Sequence, residues 1–180
     1  ASGQLTAFYN DTETTEPPVQ PVEIAESITE VTHGPSSPLI EYSTKAPLMT
    51  FVDTVFLNMT ETQCLYGYTY PLNHPLIQGH FPESPVMMGI CQWTMVEDAL
   101  QNFMASHADS GTFLIACNAF IFKSNQTPVC DIKKIQLHAQ THNGSWNVST
   151  ISLQKILFKQ RVIPGDTLLL HITQIEISPY

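Results

Sequence analysis

Hydrophobic and polar positions along the chain follow two rhythms. Leu48–Leu57 (LMTFVDTVFL) and Gln63–Tyr70 (QCLYGYTY) mix apolar, aromatic and β-branched residues, and both predict strands. From about Met88 to Met104 the rhythm changes. This run contains no proline and starts beside Gly89. It is apolar nearly all round, through Ile90, Cys91, Trp93, Met95, Val96, Ala99, Leu100, Phe103 and Met104. Such a pattern predicts a helix that is buried rather than lying on a surface. Strand character returns in Thr112–Phe122, Cys130–Thr141, Trp146–Phe158 and Asp166–Ile177. Between them, His142–Ser145 (HNGS) holds the Asn-Gly of a tight hairpin, and Ile163–Asp166 (IPGD) is a second turn signal. Two strands, one buried helix and four strands predict an α+β fold, with an antiparallel sheet wrapped around a single helix.

Residues 1–46 break this pattern. They contain TETTEPPVQPVE and HGPSSP, rich in proline, threonine and serine, which disfavour regular structure. Within them, Val22–Val31 (VEIAESITEV) has the spacing of a short amphipathic helix. The segment reads as an acidic extended arm, packed on the body or on a partner chain, or else as a disordered tail. The folded domain is expected over 47–180.

Charge sharpens that division. The 180 residues carry a net charge of −9. Residues 1–44 hold seven acidic residues and no lysine or arginine, whereas 45–180 hold nine acidic and seven basic residues. The acidity belongs to the arm, and no basic footprint for nucleic acid exists. No run approaches 18 apolar residues, so no transmembrane helix is expected, and no signal-peptide pattern is present in the chain as given. Cys64, Cys91, Cys117 and Cys130 lack C-x-x-C or zinc-finger spacing and read as reduced, mostly buried thiols of a cytoplasmic protein. N-x-S/T sequons, such as those at Asn10, Asn58, Asn143 and Asn147, are expected by chance in a chain rich in these residues.

The chemistry concentrates in QGHFPESPVMMGICQWTMVED, Gln78–Asp98. It places His80 in a proline-stiffened loop that leads into the buried helix, and the helix carries Glu97 and Asp98. A second motif, FKQRVIPGDTLLL, begins at Phe158. Together these resemble the hydroxyacyl–acyl-carrier-protein dehydratases of fatty-acid synthesis, over about residues 47–177. The matching positions are His80-Phe81-Pro82, Pro85 and Gly89, then Phe158, Lys159, Arg161-Val162 and Pro164-Gly165-Asp166. PLMTFVDTV resembles the family's first strand. Residues 123–150 look like an additional strand region.

The resemblance implies a hot-dog fold, a curved antiparallel sheet around a long central helix. It implies His80 as catalytic base and the Gly89 N–H as donor to the thioester oxygen. Phe81, Pro85, Met88 and Thr94 would line the substrate site. Lys159 and Arg161, with Lys155, would form a basic patch for an acidic acyl carrier protein; ordinary solvated charge is the alternative. The family's catalytic carboxylate corresponds to Thr94, the second loop proline to Met88 and a helix glutamine to Asp98. One half of the catalytic pair is therefore absent from its usual place. Glu97 and Asp98 lie about one turn further along the helix, roughly 5 Å, and either could reach the site through a water. Their alternative role is a polar pair hydrogen-bonded to nearby backbone.

His74 reads as a surface histidine on the approach to the loop, and Gln92 as a polar helix position without chemistry. Trp93, Met95 and Phe103 read as core. The expected function is a dehydratase-like lyase acting on 3-hydroxyacyl thioesters. The alternatives are a hot-dog thioesterase using Glu97 or Asp98, or a non-catalytic acyl-binding or assembly subunit. The fold implies a homodimer or higher homo-oligomer, and no metal or redox cofactor is implied.

Overall fold

The structure is a computed structural model that describes residues 30–32, 51–52, 54–56, 60–78 and 83–180. The long helix α2 (Gly89–His107) dictates the architecture. It contains no proline, and its buried side chains lie on almost every side, from Cys91 and Met95 to Leu100, Phe103 and Met104. A helix with no wet face needs cover along its whole length. It stops at Ala108, whose extended backbone returns an N–H to the Met104 carbonyl at 2.9 Å. In the last turn the His107 ring stacks on Phe103, with centroids 3.8 Å apart.

The cover is one antiparallel sheet. Its strands are β1 (Glu30–Thr32), β2 (Thr54–Phe56), β3 (Gln63–Thr69), β4 (Thr112–Lys123), β5 (Pro128–His142), β6 (Ser145–Phe158) and β7 (Thr167–Pro179). Across the sheet they run β1-β2-β3-β7-β4-β5-β6. The strand before α2 therefore lies beside the last strand, and β4 starts on the far side of β7. A four-residue helix, α1 (Pro75–Gln78), precedes the loop into α2. The α+β arrangement agrees with the sequence pattern, as do the five long strands. β5 and β6 form one long hairpin. Its two-residue turn puts Asn143 and Gly144 at φ 51° and 79°, the conformation for which Asn-Gly is selected.

The beginning of the chain differs from expectation. Of the strand predicted over Leu48–Leu57, the described residues are Phe51 and Val52, which lie outside any strand, and Thr54–Phe56, which pair. The helix predicted over Val22–Val31 falls mostly outside the described residues. Its last two residues, Glu30 and Val31, belong to β1, which pairs with β2. Here strand pairing overrides helical spacing, and a β-branched Val-Thr pair suits a strand.

The sheet bends over α2 through three aligned bulges. From Cys117 to Ala119 β4 advances two residues, while β5 advances three, from Ile135 to Ile132. From Ala116 to Asn118 β4 advances two, while β7 advances three, from Glu176 to Thr173. On β6, Ile151 is the extra residue, between partners of Gln136 and Leu137. Each bulge resets the in–out alternation. Ile132 thus shares the helix-facing side with Ile135, Leu137 and Ala139, and Ile172 shares it with Ile175. Lys134 and Gln174 absorb the irregularity at positive φ, 53° each. Asn118, on the outer face of β4, ties them together. Its Oδ1 accepts the Lys134 N–H at 2.8 Å, and its Nδ2 donates to Gln174 Oε1.

The four cysteines are free and buried in this core. No helix among the described residues is long and apolar enough to cross a membrane.

Asn118 is therefore expected to hold the bend. Asn118→Ala should lower stability by about 0.5–1.5 kcal/mol in urea titration, since it removes the acceptor of a bulge N–H. An unchanged midpoint would show that the bulges hold without it.

Candidate active site

The two motifs, far apart in sequence, meet at the start of α2. The Met87 N–H donates to the Val162 carbonyl at 2.8 Å, and both residues are buried. Two residues on, the Phe158 ring lies against Gly89: a Cβ built there would sit 2.6 Å from Phe158 Cζ. A glycine at this position leaves room for a close approach to the backbone. The structure shows that Phe158, 50% exposed, fills that space.

The Pro164-Gly165-Asp166 turn is a brace for this junction. Gly165 takes φ 92° and donates its N–H to the Tyr70 carbonyl at 2.7 Å; Tyr70 N–H donates to the Asp166 carbonyl at 2.9 Å. The Asp166 carboxylate accepts the Ile163 N–H at 2.8 Å and pairs with Lys123 Nζ at 2.8 Å. Asp166 thus stitches its own turn to β4. Lys159, expected to face a carrier protein, pairs with Asp131 at 2.7 Å; Arg161 is exposed.

The N-cap residue of α2 makes no side-chain cap hydrogen bond. Met88 stands at the N-cap with extended backbone, and no acidic residue lies in the first turn. Helix N–H groups and the positive end of the dipole point out of such a terminus and suit a carbonyl oxygen that gains charge. Pro85 and Met88, both half-buried, flank it. His80 and Phe81 lie outside the described residues.

Thr94, Glu97 and Asp98 of the helix are each engaged. The Thr94 hydroxyl donates back to the Ile90 carbonyl at 2.9 Å. Glu97 Oε1 accepts the N–H of Thr150 at 2.9 Å, beside the β6 bulge, and Trp93 Nε1 donates to Thr150 Oγ1 at 2.7 Å. Asp98, 4% exposed, accepts the Phe51 N–H at 2.7 Å through Oδ2. Adjacent helix positions diverge by about 100°. Glu97 accordingly binds the edge strand, while Asp98 binds the segment before β2. This is the backbone-bonded alternative of the sequence reading.

Gln92 was read as an ordinary polar position, and the structure gives it a different standing. It is 3% exposed, and its Oε1 has no hydrogen-bond partner. Leaving a buried acceptor unpaired costs about 1–3 kcal/mol. The only advance signal is a polar residue within an apolar run.

His74 also departs from expectation, being buried rather than on the surface. Its ring stacks on Phe51 at 5.9 Å and lies 5.5 Å from Tyr70, and its Nδ1 accepts the Leu76 N–H at 3.3 Å. Burial lowers its pKa, so the ring stays neutral in the packing. Burial also pushes the Cys91 thiol up to about 11 and those of Cys117 and Cys130 up to about 12. Such thiols are poor nucleophiles at neutral pH. Among the described residues, no group of histidine, cysteine and carboxylate side chains could hold a metal ion.

Comparison of the chain with known protein families and with curated proteins finds no match.

The Gly89–Phe158 contact is testable by a double-mutant cycle. Gly89→Ala should destabilise the protein while Phe158 is present, because the methyl group displaces the ring. In a Phe158→Ala background the same change should stabilise by about 0.5–1 kcal/mol, the ordinary gain of alanine in a helix. An equal effect in both backgrounds would contradict the packing described.

Proposed function

We propose that the chain is a hot-dog protein that binds 3-hydroxyacyl thioesters, on coenzyme A or an acyl carrier protein, and acts on them as a dehydratase-like lyase of fatty-acid or polyketide-type synthesis. One observation carries this reading. The loop that follows His80 and the Phe158–Asp166 motif converge on the N-terminus of a buried helix, through Met87 N–H to Val162 and Phe158 on Gly89. Such convergence is what a site assembled from both motifs requires.

In this reading the thioester carbonyl accepts the N–H of Gly89, and His80 removes a proton from the α-carbon. The electron pair moves onto the thioester oxygen, where the helix terminus stabilises it. The imidazolium then returns the proton to the 3-hydroxyl, which leaves as water as the α,β double bond forms. A single histidine serves both proton steps because Thr94, Glu97 and Asp98 have other commitments. Arg161 and Lys155, exposed near the end of β6, are the basic groups for an acidic carrier. The exposed Ile151, Leu157 and Phe158 on β6, the outer strand of the sheet among the described residues, suit pairing with a second copy.

A second reading is an acyl-binding subunit without turnover. The backbone bonds of Glu97 and Asp98 favour it, since they occupy the carboxylates a dehydratase or thioesterase would use.

The purified protein should interconvert 3-hydroxyacyl and 2-enoyl thioesters, followed by mass spectrometry as loss or gain of water. His80→Ala should lower the rate at least about 100-fold. Binding without conversion would establish the acyl-binding subunit. Release of free acid, lost in Glu97→Gln or Asp98→Asn, would establish the thioesterase. No binding would contradict both leading readings.

A further inference from the structure

Gln92 presents a buried carbonyl oxygen with nothing bound to it. It lies in the helix stripe of Val96, Ala99 and Phe103, all fully buried, at the end where α2 begins. Helical side chains lean toward the N-terminus and cover the preceding turn. Gly89 stands three residues before Gln92, on the turn that a side chain at position 92 covers by this rule. The two features are complementary. The uncapped helix end offers N–H donors and needs an acceptor; Gln92 Oε1 is an acceptor and needs a donor.

We infer that Gln92 is a specificity residue of this site, accepting a hydrogen bond from the 3-hydroxyl of a bound 3-hydroxyacyl thioester whose carbonyl oxygen lies on the α2 N-terminus. The inference rests on the acyl-thioester reading above. A β-hydroxy carbonyl compound carries an acceptor and a donor in close succession, which matches a donor and an acceptor one helical turn apart. A saturated chain has the carbonyl oxygen without the hydroxyl, so it leaves Oε1 unpaired. The 2-enoyl product lacks the hydroxyl as well, and Gln92 thus favours substrate over product.

Gln92→Met keeps the length of the side chain and removes the acceptor. Calorimetry would compare wild type and variant with 3-hydroxybutanoyl- and 3-hydroxyoctanoyl-coenzyme A, and with butanoyl- and octanoyl-coenzyme A. Wild type should favour the hydroxylated ligands about five- to tenfold, and the variant should lose that preference while binding the saturated ligands as before. Without ligand, the variant should melt about 2–4 °C higher, because a buried unpaired acceptor is gone. A lower melting temperature would overturn the inference by showing that Gln92 has a protein partner in solution. So would a wild type without preference, or a preference that survives in the variant, and either leaves the acyl-thioester reading intact. A wild type that binds none of the four ligands would overturn that reading and the role of Gln92 with it.

Discussion

A helix without a wet face is the constraint on which this structure depends. α2 carries apolar side chains around most of its circumference, so a flat sheet against one side would leave half of them in water. The sheet bends instead, at a line of bulges across β7, β5 and β6 that centres on Asn118 of β4. Asn118 binds both irregular segments, at Lys134 and Gln174, from the outer face. The bulges also preserve the burial pattern: without the extra residues, the apolar positions beyond each bend would face outward.

The same enclosure decides what the polar groups of α2 can do. A carboxylate taken out of water needs partners, and Glu97 and Asp98 have them in the backbone of Thr150 and Phe51. These bonds pin the helix to the edge strand on one side and to the segment before β2 on the other. Thr94 satisfies its hydroxyl within the helix. Gln92 is the exception, and it stands next to the end of the helix that is itself uncapped. The start of the helix and the unmet acceptor thus fall within one turn of each other, where the two sequence motifs meet.

Much of this was legible in the chain. Length and period separated the helix from the strands, and Asn143-Gly144 announced the β5–β6 turn. The bulges left a trace as well. In Ile132-Lys-Lys-Ile135 and Ile172-Thr-Gln-Ile175 two polar residues separate apolar ones, where strict alternation allows one, but no local rule tells a bulge from a strand end. β1 was not legible, because its pairing with β2 is a tertiary event that helical spacing does not reveal. The burial of His74 depends on Phe51 and Tyr70 closing around it. The partners of Glu97 and Asp98 lie 53 and 47 residues away, beyond the reach of any local pattern. At Gly89 the group that approaches is Phe158, from the other end of the domain, a contact that no local pattern reveals.

Binding of an acyl thioester at the α2 N-terminus, framed by the Met87–Val162 and Gly89–Phe158 contacts, is the proposal to test first. Hydrogen–deuterium exchange with and without a 3-hydroxyacyl thioester tests it most directly. The account predicts slower exchange over residues 85–92 and 157–163 on binding, with the β5–β6 turn at Asn143-Gly144 unchanged. Binding that leaves both segments unaffected, and protects another part of the sheet, would contradict it.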